Sequence, residues 1–220
     1  MASKTMHFYA YGLQKDTTVM MVFEPPSKAK LFKDQFPVVW SKGHHFPRQR
    51  PCESIDSLWV PAGFWLFPDC KLDQDNLVDS GAWVEVKSGD ISRIQGEPGQ
   101  KRFGEVTKAS GTKLLVCKNN TDARANISIG FVRGDGYSQR YEPTLIWTGV
   151  GSGSNVTAQF TPNLTAYVTR DYKATEMLRG EVETDAIWTC NLNELDDVTG
   201  WNFVEDDASG EFRIERSIQV

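Results

Sequence analysis

Two stretches of this chain carry the same pattern in the same order. Val38-Val39-Trp40 returns as Leu145-Ile146-Trp147, each shortly after a proline, Pro37 and Pro143, at an offset of 107. Ala82-Trp83-Val84 returns as Ile187-Trp188-Thr189 at an offset of 105, each closing a run that contains charged residues. Residues 7–23, two apolar runs around a Gly-Leu-Gln-Lys-Asp turn, correspond to 114–131 around Asn-Asn-Thr-Asp. Self-similarity at a fixed period means that one structural unit is used twice. The 220 residues divide on this reading into two domains, 1–104 and 111–220, joined by the Gly/Ser/Lys-containing stretch 104–111.

Within each unit the apolar runs are short, rich in Val, Ile, Thr and aromatic residues, and punctuated by Pro, Gly, Asn and Asp. That composition belongs to strands. Residues 128–132, 165–169 and 212–216 alternate partly or fully with period two, the signature of a half-buried strand. The best helix signal lies over 173–183. The reading predicts an all-β chain of two tandem homologous β-sandwich domains. At 40% hydrophobic and 24% charged residues the chain has enough apolar surface for a packed core, which excludes intrinsic disorder.

The two copies differ in charge and length. Residues 1–110 carry 14 Lys/Arg against 13 Asp/Glu, while 111–220 carry 10 against 16, so the net charge of −5 resides in the second copy. Such an acidic chain has no electrostatic attraction for nucleic acid or an anionic membrane. From Trp40 to Pro61 is 21 residues, against 15 from Trp147 to Pro162. The six extra residues fall in 41–52, a segment holding His44, His45, Arg48, Arg50, Lys42 and Cys52, and long loops on a rigid sandwich are where binding groups sit.

Several function classes find no support. The longest apolar runs, such as 58–67, are far shorter than the roughly 20 residues of a membrane-spanning helix. Residues 1–5 are polar and no apolar stretch of the secretory kind follows, which predicts a cytoplasmic protein. Asn119, Asn126, Asn155 and Asn163 lie in Asn-x-Ser/Thr sequences, read here as Thr-rich strand chemistry. Cys52, Cys70, Cys117 and Cys190 are widely spaced, with only three His to join them, so free thiols and no metal are expected. Gly149-Val-Gly-Ser-Gly-Ser154 is followed by a strand-like run instead of a helix, so it reads as a turn and not as a phosphate loop. Asp73-Gln-Asp-Asn-Leu-Val-Asp79 imitates the start of a calcium loop, but Leu77 stands where an oxygen ligand belongs. No nucleophile-elbow, zinc-protease or Walker motif occurs, and the expectation is a non-enzymatic protein.

Aromatic residues are the strongest irregularity. Between positions 40 and 67 lie Trp40, Phe46, Trp59, Phe64, Trp65 and Phe67, whereas the matching part of the second copy has Trp147, Phe160 and Tyr167. Two readings stand side by side: these rings form the core or the contact between domains, or they sandwich a flat ligand. On the second reading Trp59, Phe64, Trp65 and Phe67 stack on a planar aromatic molecule, and His44, His45 or Arg48 make its polar contacts. Lys42 and Cys52 are the nucleophiles through which a covalent link could form. A homodimer is compatible with the sequence.

The second copy, reading Trp147-Thr-Gly-Val-Gly-Ser-Gly-Ser, then Phe160-Thr-Pro-Asn-Leu-Thr-Ala-Tyr167, then Ile187-Trp188, resembles small cytosolic β-sandwich proteins of mushrooms, the aegerolysins and actinoporin-like lectins. Tandem duplication and excess aromatics are also similar to the pink chromoproteins of oyster mushrooms. The first resemblance implies recognition of lipid or sugar, as by a cytolysin or lectin. The second implies a bound organic chromophore of the indolone type. The leading expectation is therefore a pigment-binding or other small-molecule-binding protein, and the alternative is a sugar- or lipid-binding effector.

Overall fold

The computed structural model describes residues 3–24, 31–33, 35–46, 54–60, 64–68, 71–79, 83–97, 100–109, 111, 114–133, 139–159, 161–169 and 172–218; over 41–46, 54–60, 64–68 and 71–72 it describes the backbone. The described residues are all-β. The first repeat supplies β1 (Lys4–Tyr11), β2 (Thr17–Phe23), β3 (Gln35–Pro37), β4 (Val39–Phe46), β5 (Ser54–Val60), β6 (Phe64–Pro68), β7 (Lys71–Leu72), β8 (Val78–Asp79), β9 (Val84–Val86), β10 (Asp90–Gln95), β11 (Arg102–Phe103) and β12 (Thr107–Lys108). The second supplies β13 (Leu115–Asn119), β14 (Ala125–Arg133), β15 (Arg140–Val150), β16 (Asn155–Ala158), β17 (Asn163–Val168), β18 (Trp188–Asn191), β19 (Val198–Glu205) and β20 (Phe212–Arg216). The segment with the best helix signal, 173–183, is not helical. Thr175 has φ of 65°, and apart from one turn bond from Glu176 N to Lys173 O the backbone there bonds outward, with Leu178 N donating to Pro37 O at 2.8 Å. A single 3-10 turn, Leu192–Glu194, is the only helical element among the described residues.

Four sheets form two sandwiches, and each sheet takes strands from both repeats. In the first sandwich the sheet β20-β19-β1-β5 faces the sheet β18-β17-β2-β4. Met6, Phe8, Trp201 and Phe203 from one side meet Val19, Met21, Trp40, Leu164 and Ala166 from the other in a common core. In the second, β11-β10-β13-β16 faces β3-β15-β14-β6-β9, enclosing Ile94, Leu115, Cys117, Ile127, Ile129 and Trp147. Repeat anchors Trp40 and Trp147 are both buried, one in each core.

The registers obey a pseudo-twofold exchange. Phe8 pairs in parallel with Trp201, and Cys117 pairs in parallel with Ser92, so that the first half of each repeat lies beside the second half of the other. Met21 pairs with Ala166, and the equivalent Ile129 pairs with Leu66. Met6 pairs with Leu58 as Leu115 does with Ala158. At the axis, β3 and β15 pair with each other: Pro37 lies opposite Leu145, and Val38 N donates to Thr144 O at 3.0 Å.

This pairing departs from the expected division into independent sandwiches at 1–104 and 111–220. The second sandwich is the nearly continuous stretch 64–158 with β3 on its edge, while the first joins 4–60 to 163–216. The chain crosses over between β5 and β6 and returns between β16 and β17. One anchor also shifts, because Leu66 pairs with Val84 and Ala166 with Trp188, making Val84 and not Trp83 the equivalent of Trp188.

Why both faces of β2 are apolar follows from this packing. Val19, Met21 and Phe23 enter the first core, while Met20 and Val22 form a separate cluster with Val39 and Leu178 on the opposite face. A strand covered on both sides loses the polar alternation of a half-exposed one. On β14, Gly130 is required sterically, since a Cβ there would collide with the Glu142 carbonyl oxygen at the register shift between Ile129 and Gly130.

Candidate cavities beneath a shared strap

Residues 173–186 run as a strap across the β2- and β14-containing sheets. Its backbone is tied down at several points: Val39 N donates to Glu176 O at 2.8 Å, Thr175 N to Val39 O at 2.8 Å, and Val78 N to Thr175 O at 2.9 Å. Consecutive strap residues go to different places. Met177 packs with Val38, Val78, Tyr141 and Ile146 against the β14 sheet, and Leu178 with Met20, Val22 and Val39 against the β2 sheet. An extended segment that alternates its side chains can seal two surfaces at once.

The first cavity, about 350 Å³, lies between the strap and the β2–β17 face. Val22, Phe32, Tyr167, Leu178 and Val182 give it apolar walls, and Glu24, Glu181 and Asp185 are its charged residues. Glu24 follows the end of β2 and is oriented from β17, accepting from Thr165 Oγ1 at 3.2 Å and Asn163 Nδ2 at 3.3 Å. Burial pushes the Tyr167 phenol above its ordinary pKa, reinforced by the negative charges of Glu24 and Glu181. The phenol is therefore neutral and available as a hydrogen-bond donor at physiological pH. Phe32 holds φ of 58°, a left-handed conformation costly for a bulky residue, and strain of that kind concentrates at ligand sites.

The second cavity, about 640 Å³, lies between the β7–β8 hairpin and the start of β15. Trp83, Tyr141 and Val78 line it together with Asp73, Asp79 and Arg140, and strap residue Thr175 completes one side. Tyr141 shares a short hydrogen bond with Ser128. The Asp73 carboxylate is engaged in its own turn, accepting from the backbone of Asp75 at 2.9 Å and Leu77 at 2.8 Å, so the calcium-loop imitation is a hairpin turn.

The residues expected to form a site are distributed over three sheets. His44 and His45 are successive positions of β4, opposite Val19 and Thr18, and Lys42 lies opposite Met20 on the same strand. They stand in a strand and not in the long loop expected for 41–52. Trp59 is on β5 opposite Thr5, in the first sandwich. Phe64, Trp65 and Phe67 are on β6, in the second, opposite Val86, Glu85 and Ser128. Arg48 and Cys52 lie outside the described residues. The cavity residues Phe32, Glu24 and Tyr167 were missed, because the fold gathers them from separate parts of the chain. A trace existed for Tyr167: the register makes it the repeat counterpart of Phe67.

Cys117 and Cys190 are free and buried, one in each core. Among the described residues no group of three or more His, Cys, Asp or Glu is placed to hold a metal ion, and no helix is long and apolar enough to cross a membrane. In comparisons with known proteins, no family model, no curated protein and no solved structure matches the chain.

Proposed function

We propose that the protein is a non-catalytic binder of a planar aromatic small molecule, held in the cavity between the strap and the β2–β17 face. The observation that carries this reading is a half-open cavity of about 350 Å³ with apolar and polar walls, among them a positioned carboxylate and the Tyr167 phenol. Ligand pockets commonly span ~300–1,000 Å³, mostly apolar, with a few polar groups that set orientation. Tyr167 and Phe32 supply rings for stacking. Glu24, held by Thr165 and Asn163, supplies a fixed acceptor for a ligand N–H or O–H. A pigment of the indolone kind is one member of this ligand class.

The test is the absorption spectrum and the native and denatured masses of protein purified from its source. A band beyond the Trp and Tyr absorption, or an added mass released on unfolding, supports the reading. Tyr167→Ala and Phe32→Ala should each lower retention of that molecule at least tenfold while the fold survives. Protein of unmodified mass, colourless and binding glycans or lipid vesicles instead, overturns it in favour of a lectin- or cytolysin-like effector.

A further inference from the structure

We infer that the protein carries a second site for the same class of planar aromatic molecule, in the cavity lined by Trp83 and Tyr141, so that one chain holds two ligands. This rests on the reading of the first cavity as a ligand site. It is carried by the lining of that cavity, to which the segment entering β9 supplies Leu77 and Val78, as the segment entering β18 supplies Glu181 and Val182 to the first.

The equivalence can be followed residue by residue. The registers that match Val84 to Trp188 set an offset of 104 for the segments entering β9 and β18. At that offset Leu77 and Val78, which line the second cavity, correspond to Glu181 and Val182, which line the first. At the repeat offset of 107, Gln139 in the second cavity corresponds to Phe32 in the first. Each cavity thus lies where the segment entering its sheet's β9 or β18 strand meets the segment entering β3 or β15. Thr165 and Tyr167 of the first have Trp65 and Phe67 as their positional counterparts on β6.

The chemistry of the second cavity suits the same ligand class with a different polar frame. Trp83 and Tyr141 line it, in an open depression of about 640 Å³. Its charged residues are Asp73, Asp79 and Arg140, whereas those of the first cavity are all acidic. A planar monocation is attracted to both, and Arg140 sets the second apart.

Thioflavin T, a planar aromatic monocation, is the probe, titrated into ligand-free full-length chain and followed by fluorescence and calorimetry. Two molar equivalents are expected. Trp83→Ala should remove one and leave the other at unchanged affinity, and Tyr167→Ala should do the reverse, with circular dichroism showing each variant folded. Should Trp83→Ala fail to fold, Arg140→Gln at its exposed position serves instead: Arg140 lines the second cavity and not the first, so removing its charge should tighten the cationic dye there alone, about two- to threefold. One equivalent, abolished by Tyr167→Ala and indifferent to Trp83→Ala and Arg140→Gln, overturns the second site and leaves the first. No binding of the dye at all overturns the reading of both cavities.

Discussion

The rings of Phe23 and Phe131 lie 5.5 Å apart, tilted at 53°, and each residue is the other's counterpart in the repeat. Trp40 packs on both, with ring centroids at 4.9 Å from Phe23 and 5.8 Å from Phe131. Phe131 therefore leaves its own sandwich's core and joins that of the other. Its indole neighbour is anchored as well, Trp40 Nε1 donating at 3.2 Å to Glu142, which is also paired with Arg133 at 3.1 Å. The two sandwiches are locked at the axis by aromatic packing and one half-buried carboxylate.

Removing that lock should cost more than an ordinary surface change. Phe131→Ala is expected to destabilise the protein by about 3–5 kcal/mol, the range for truncating a fully buried phenylalanine. A cycle with Phe23→Ala should reveal coupling of about 0.5–1.5 kcal/mol between the rings. Urea denaturation of the single and double variants measures both, and strictly additive losses would contradict the ring contact.

Strand exchange makes a sharp prediction about fragments. Chains cut within 110–113 should each be unfolded when alone, since β1, β2, β13 and β14 have lost the partners β19, β17, β10 and β6. Mixed together, they should reassociate into the native fold. Residues 64–158, by contrast, contain every strand of the second sandwich except β3 and should fold alone. Far-ultraviolet circular dichroism and size-exclusion chromatography distinguish these outcomes; cooperative unfolding of 1–110 in isolation would refute the exchange.

Asn119, read from the sequence as an ordinary strand residue, is fully buried and organises the turn after β13. Its Nδ2 donates to Ala123 O at 2.8 Å, Val150 O at 2.9 Å and Gly151 O at 3.2 Å, while Oδ1 accepts from Thr121 Oγ1 at 2.7 Å. Asn119→Ala removes the partner of three partly buried carbonyls and of the buried Thr121 hydroxyl, and a buried group left unpaired costs about 1–3 kcal/mol. A loss of about 3 kcal/mol in thermal or urea denaturation is the expected result, and a change below 0.5 kcal/mol, the usual scale of a surface substitution, would sink it.

Burial raises the Cys117 and Cys190 thiols to about 11 from an ordinary value of 9. Both should stay protonated and unreactive toward a thiol reagent in the native protein at pH 8, and react on unfolding. Because the native state holds these protons more tightly than the unfolded chain does, their contribution to stability is intact below pH 9. It is lost as pH climbs through about 11. Replacing both by Ser and comparing urea midpoints at pH 8 and 10.5 isolates this term.

Much of the architecture was legible along the chain. Period-two alternation over 212–216, which forms β20 with Ile214 buried between exposed Arg213 and Glu215, is a local property that identifies a strand. The turn over 151–154 was legible for the same reason. The strap was not. Its residues between Lys173 and Glu183 carry helix-like spacing, yet Met177 and Leu178 are claimed by two different apolar surfaces, and tertiary burial outweighs the small differences in propensity.

From the sequence alone comes the all-β class, because it follows from the chemistry and spacing of neighbouring residues. Only the tertiary structure decided which strands become neighbours. Apolar alternation tells a strand which face to hide and says nothing about whose backbone will accept its hydrogen bonds, so two equivalent partners, one in each repeat, were open to every strand. β1, β2, β13 and β14 each took one partner from the other half of the chain, and that pairing placed Glu24, Phe32 and Tyr167 around one cavity and Trp83 and Tyr141 around another.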